Sequence, residues 1–311
     1  MEGGGLANPA EQFPNTFTPG SWFDTYSYAL PTYVTGAICL SATLASLLGL
    51  KETLDRDESA DVTRKSEMTT SEVLRSPGVP MVLYIYGHVM LLSLGYTAVS
   101  PVFLYTDIEL GGWGFSDQMI AGYLAVAGAS QSLWMLIAFP PLQRRLGTGN
   151  LLRVCLVVWC VLFAGFPVMN AFLRQHWTTA FWAIAPPFLV LGSGVSMSFG
   201  EFVFIEPHLR AAVLTIPACI QLCLNDISPS SAVLGTVNAL GLTVNSAVRA
   251  FAPVAFTSIY AGGIKLGWLH GHLVWLVLII LTLVLNAACF YLPKQAEGRY
   301  EEPERAENER D

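Results

Sequence analysis

A single cation, Arg249, interrupts the apolar run VNSAVRAFAPVAF (244–256), with no other charged side chain back to Asp226 or forward to Lys265. An arginine at mid-bilayer costs about 2.5–3.5 kcal/mol on insertion scales, and such residues face a bundle interior or a water-filled cavity. The pattern therefore points to a cation on a solute pathway or at a gate. The competing reading starts the helix in the cytosol and lets Arg249 snorkel to the interface, because 231–262 is longer than the roughly 20 residues a span needs. Asn238, Thr243, Asn245 and Ser246 share the segment, and helical spacing puts Asn238, Asn245 and Arg249 near one face. Such a stripe suits a polar cavity, or interhelical bonding worth about 0.6–2 kcal/mol per contact. His88, in YIYGHVMLLSLGY, titrates near neutrality and suits a proton relay, or packs while donating to a carbonyl. Gln131, in GASQSLWML, is a further cavity candidate. No Walker lysine motif, HExxH or GxSxG is present, so a P-loop ATPase or a standard hydrolase has no support. An enzyme, a cofactor, a metal site and a nucleic-acid partner are not expected.

Composition fixes the solvent of the elements that position these residues. The chain of 311 residues is 53% hydrophobic and 13% charged, with a mean hydropathy of +0.50. A soluble domain carries about 25% charged residues. Here the charges cluster at 51–75 and 294–311, separated by apolar runs long enough to cross about 30 Å of hydrocarbon. The pattern predicts an all-α membrane protein with about seven transmembrane helices, near 31–50, 79–104, 119–142, 153–173, 178–199, 231–262 and 268–292. Pro-containing spans (FP at 166–167, PP at 186–187, AP at 252–253) are tolerated because neighbouring helices satisfy the freed backbone groups. Six cysteines, none in CxxC spacing, argue against a disulfide framework or a zinc site. The first residues lack a basic n-region and an apolar core, so no cleavable signal peptide is expected.

Lys and Arg set the orientation. The loop at 51–78, the connection at 143–153 and the tail at 294–311 hold most of them, whereas 1–30 and 105–118 hold none. The bias places the N-terminus and segment 1–30 outside and the C-terminal tail in the cytosol. The organisation is then an outer segment (1–30), one span (31–50), a polar and mobile inner loop (51–78), a six-helix group (79–293) and a solvated tail (294–311). Asp107, Glu109 and Asp117 fall in an outer loop as surface charges. Segment 211–224 is apolar but short. Counting it as a span would put the basic tail outside, so it is expected as an inner extension of the fifth span or an interfacial piece.

FPPLQRRLGTGNLLR (139–153), read with LANPAEQFP near the start, resembles the major facilitator superfamily, in the drug:proton-antiporter-like branch that includes zinc-induced-facilitator-like proteins. Pro140, Leu142, Arg144, Arg145 and Gly147 fit the second, degenerate copy of that family's cytoplasmic loop motif. GGGLANP (3–9), KETL (51–54), PVFLYTDIELGGWGFS (101–116), NDISPSSAVLGTVNAL (225–240) and SAVRAFAP (246–253) resemble further elements in the family's order. The resemblance covers nearly the whole chain and implies that the seven spans are helices 6–12 of the fold, a C-terminal portion with helices one to five absent. It implies secondary active transport of a small solute or metal chelate, coupled to protons. Arg249, Asn238, Asn245, Gln131 and His88 would then line the substrate pathway, and Arg144, Arg145 and Gly147 a cytoplasmic gate. The lipid bilayer, the solute and protons are the partners.

Two departures stand out. The first-copy loop motif and the carboxylates usual in an N-terminal half are absent, and a fold of two six-helix halves has its site between them. Residues 200–218 interrupt the family pattern within its tenth helix. Their ends can be encoded by splice-site sequences, so a translated retained intron is expected, testable by transcript reads across the Phe199 and Cys219 codons. The rival classes are a seven-helix receptor, which shares the topology, and a non-transporting fragment.

Overall fold

The computed structural model describes residues 9–13, 15–17, 20–49, 68–196, 219–229 and 233–297. Among these there is no strand. The main helices are α1 (Ala29–Gly49), α2 (Thr70–Arg75), α3 (Val79–Tyr105), α4 (Asp117–Leu133), α5 (Phe139–Leu146), α6 (Thr148–Arg174), α7 (Thr178–Ser196), α8 (Cys219–Asp226), α9 (Leu234–Leu266) and α10 (Leu273–Ala288). A π turn, Trp134–Ala138, joins α4 to α5. It directly precedes Pro140 and Pro141, which sit in the first turn of α5, where a missing N–H costs least.

Among the described residues six helices are long and apolar enough to cross a membrane: α1, α3, α4 with α5, α6, α9 and α10 with its last turn. A seventh, α7, is apolar over the shorter Thr178–Ser193. All seven fall where the hydropathy pattern put them, and the protein is an integral multi-pass membrane protein.

Packing is uneven. α3 lies along α9, α10 along α6, and α7 against both α4 and α6. Glycines permit the closest approach: a Cβ at Gly95 of α3 would meet the Phe256 ring of α9 at 2.6 Å. Phe166 of α6 stacks on Trp275 of α10 at 4.2 Å and 3°, and Phe103 of α3 meets both rings edge-on at 5.5 and 5.0 Å. Such pairs add about 0.5–1.5 kcal/mol beyond area burial. By contrast α1 buries no residue, and its Leu40, Leu44, Leu47 and Leu48 are exposed. An apolar helix open all round is what a lipid solvent allows.

Two expectations need amendment. The end of the segment expected as a mobile loop holds α2, whose start is fixed by a capping box: Glu72 N–H donates to Thr69 Oγ1 at 3.4 Å, and Thr69 N–H donates to Glu72 Oε2 at 2.7 Å. The TTSE signal for it stands in the sequence. The end of the ambiguous 211–224 segment is α8, which packs on α3, α6, α9 and the turn Lys294–Glu297, with Ile220 and Cys223 fully buried. Residues 51–67, the expected insertion 200–218 and the tail from 298 lie outside the described residues.

Candidate functional site

The predicted residues do not converge on one point. Along α9 a buried stripe runs through Val237, Gly241, Asn245, Val248, Ala252, Phe256 and Tyr260. Asn245 belongs to it, at 5% exposure. Asn238, half-buried, accepts a hydrogen bond from Gln221 Nε2 of α8 at 2.9 Å. Arg249 is exposed close to the centre of α9, on a face that also exposes Leu242 and Ser246. One turn thus separates a buried amide from an exposed guanidinium. His88 lies on another side of α3, with Nδ1 3.2 Å from the Tyr84 hydroxyl and its ring beside the Leu281 main chain of α10. Gln131 is half-buried at the end of α4, where its carbonyl accepts from Trp134 N–H.

At the end of the bundle that holds α5, Arg144 and Arg145 are exposed in its last turn. Gly147 closes α5 and opens α6 at φ +76°, a left-handed value that suits glycine. The interhelical tie there is made by Arg153, which spacing marked only as a topology signal. Its guanidinium donates to the Cys289 carbonyl from Nη2 at 2.8 Å and Nε at 3.3 Å, and to Asn150 Oδ1 at 3.0 Å. Asn286 Nδ2 returns a bond to the Arg153 carbonyl at 3.2 Å. A cation on the last carbonyls of α10 is favoured by the helix dipole. The detectable signal was an arginine and an asparagine three residues apart at a span's start.

The opposite end is more densely bonded. Asn170 Nδ2 donates to the carbonyls of Ile108, at 3.0 Å, and Gly112. Arg174 donates to Ile108 O at 3.2 Å and Glu109 O at 2.9 Å. With its amide hydrogens spent, Asn170 offers Oδ1 to His272 Nε2 at 3.2 Å. His272 therefore donates from Nε2. Burial, then the charges of Arg174 and His270, push its pKa from about 6.5 down to about 4. A Cβ at Gly112 would meet the Thr106 carbonyl oxygen at 2.0 Å, so this loop admits only glycine there.

An apolar groove of about 250 Å³, open along one side, lies elsewhere, between α4 and α7. Sequence reading missed it. One of its walls, Tyr123, has its hydroxyl 3.1 Å from that of Tyr96 of α3.

The chain is 41% identical over 280 residues to the efflux pump azaK of Aspergillus niger, an alignment covering 90% of this chain and 56% of the pump. The chain belongs to the major facilitator superfamily. Lower similarity extends to the major facilitator-type transporter psiT2 of Psilocybe cubensis, at 21% over 319 residues, 91% of this chain and 59% of that protein. It also extends to the zinc induced facilitator 1 protein of Arabidopsis thaliana, at 22% over 319 residues, 93% and 60%. This superfamily member thus spans little more than half the length of the curated relatives it matches. No family model and no solved structure matches the chain.

Proposed function

We propose that the chain forms part of a secondary transporter that carries a small solute across a membrane, driven by protons. The observation that carries the reading is the 41% identity to an efflux pump along 90% of this chain, on helices that pack as a membrane bundle. The end holding Arg75, Arg144, Arg145, Arg153 and Lys294 faces the cytosol, where basic residues accumulate. The outer loop at 106–116 then lies on the far side.

In this reading the exposed face of α9 borders an aqueous path. Arg249 supplies its positive charge, and Asn238 and Asn245 hold the helix against α8 and α3. Gln131 borders the path from α4, beside the π turn, a feature frequent at functional sites. His88 is the proton-relay candidate, with Tyr84 its first hydrogen-bonding neighbour. Gly147 gives the inner turn its shape, Arg144 and Arg145 face the cytosolic surface, and Arg153 closes the inner end by tying α6 to α10. Catalysis of a covalent reaction forms no part of this function.

The test is flux. The purified chain is reconstituted in vesicles with an imposed pH gradient, and solute-dependent proton movement is followed with an internal pH dye. Proton flux that rises with added solute, and drops at least tenfold in Arg249→Gln, supports the reading. Equal proton leak with and without solute, in a chain shown to be folded, refutes it for this chain.

A further inference from the structure

α1 buries none of its residues, so lipid meets it on every side. Its 21 residues rise about 31 Å at 1.5 Å each, which matches the roughly 30 Å of hydrocarbon in a bilayer. Ala29 therefore sits at one edge of the hydrocarbon and Gly49 at the other. The residues just ahead of Ala29 are held at headgroup depth, the level at which Trp and Tyr accumulate. The lipid that surrounds the helix is what they meet there.

Those residues form a hollow. The turn Trp22–Thr25 folds back on α1, where Phe23 packs edge-on against Tyr33 at 6.5 Å and 88°. Phe17 backs Phe23 at 5.1 Å. Tyr26 N–H donates to the Trp22 carbonyl and Ala29 N–H to the Tyr26 carbonyl, both at 2.9 Å. The result is an open hollow of about 630 Å³ lined by Trp22, Tyr26, Tyr28 and Tyr33. All four rings are exposed, so the core of the bundle claims none of them. Trp22 and Tyr26 lie side by side, with centroids 4.3 Å apart.

Charge selects the guest. Between residues 12 and 50 the sequence holds one charged residue, Asp24, and no Lys or Arg. An anionic headgroup finds no cation there. Aromatic faces attract a cation through the ring quadrupole, Trp most strongly, and quaternary ammonium groups are recognised in this way. Thr25 and Ser27 line the same hollow and bring hydroxyls that suit a phosphate.

We propose that this hollow binds the phosphocholine headgroup of a membrane lipid, with the trimethylammonium against Trp22 and Tyr26 and the acyl chains along α1. The site is the same in either orientation of the chain, and it does not rest on the transport reading. The purified full chain in detergent is given equimolar dioleoyl phosphatidylcholine, phosphatidylethanolamine and phosphatidylglycerol, and bound lipid is counted by native mass spectrometry. The choline lipid should bind about fivefold better than the ethanolamine lipid, the scale of a cation–π contact, although the two differ only in three methyl groups on nitrogen. It should bind about tenfold better than the anionic lipid.

Trp22→Leu keeps an apolar side chain but removes the ring, and should abolish the preference for choline over ethanolamine. Trp22→Phe should restore part of it. Trp177→Leu, at an exposed ring between α6 and α7, should leave it unchanged. Circular dichroism confirms that each variant is folded. Equal binding of the three lipids, a preference that survives Trp22→Leu, or an equal loss in Trp177→Leu overturns the site. Free choline should bind at least tenfold more weakly than the lipid. Binding as tight as the lipid's would give the hollow to a soluble cation and overturn the proposal.

Discussion

The α3–α6–α9–α10 side and the α4–α7 seam of the bundle differ in almost every respect. On the first, glycines bring α3 against α9, and Phe103, Phe166 and Trp275 interlock. On the second, α4 buries only Ala127, and two ties, Phe115 on Trp182 and Ser130 Oγ to the Val190 carbonyl, bracket an open groove. The same chemistry of small residues gives opposite outcomes. Where a large ring opposes the glycine, as Phe256 opposes Gly95, the helices close. At Gly122, which is exposed, nothing lies within reach and the seam stays open. The packed side is a frame, and the seam is loosely tied.

The largest effect should come from breaking the frame. Trp275 is fully buried and stacked on Phe166, so Trp275→Ala should cost about 3–5 kcal/mol, read from unfolding of the detergent-solubilised chain. A loss under about 1 kcal/mol would mean that the aromatic cluster is not structural. Next comes one substitution made on both sides. Gly95→Ala must displace the Phe256 ring and should cost about 1–3 kcal/mol. Gly122→Ala meets no neighbour and should be neutral or stabilising by up to about 1 kcal/mol. Equal destabilisation at both positions would erase the distinction between frame and seam.

The smallest effect concerns the outer end. His272 binds its proton more weakly in the fold than in the unfolded chain, with a pKa near 4 against about 6.5. Its contribution is therefore complete above pH 6.5 and is lost as the pH falls through 4, because the unfolded state takes up more protons in that window. Protonation puts a charge on a buried ring and repels Arg174, so the cost falls on the packed loop. Hydrogen exchange of the 107–115 amides should quicken between pH 6.5 and 4, after correction for intrinsic rates. His272→Gln should flatten that dependence. Unchanged protection across the window would assign the latch to Asn170 and Arg174 alone.

Much of the frame was legible in advance, because lipid demands long apolar segments and charge clusters mark their ends. The seven spans follow from that. Sites were less legible. Asn238 and Asn245 were found by periodicity, but one helical face does not decide which residue packs. Asn245 faces the frame while Arg249, one turn on, stays exposed. Arg153 reads as a topology signal until α10 places the Cys289 carbonyl beside it. The α4–α7 groove left no local pattern at all, since it depends on how two helices are tied at their ends. Gln221 bonds from α8 to Asn238 of α9, beside a segment whose family pattern is interrupted, so spacing gave no partner for it.

The central claim is that glycines close the α3–α9 side of the bundle while the α4–α7 seam stays open. The unfolding free energies of Gly95→Ala and Gly122→Ala, measured side by side in one detergent, test it most directly. The first should be the less stable by about 1–3 kcal/mol. Equal stability, or the opposite ranking, would contradict the account.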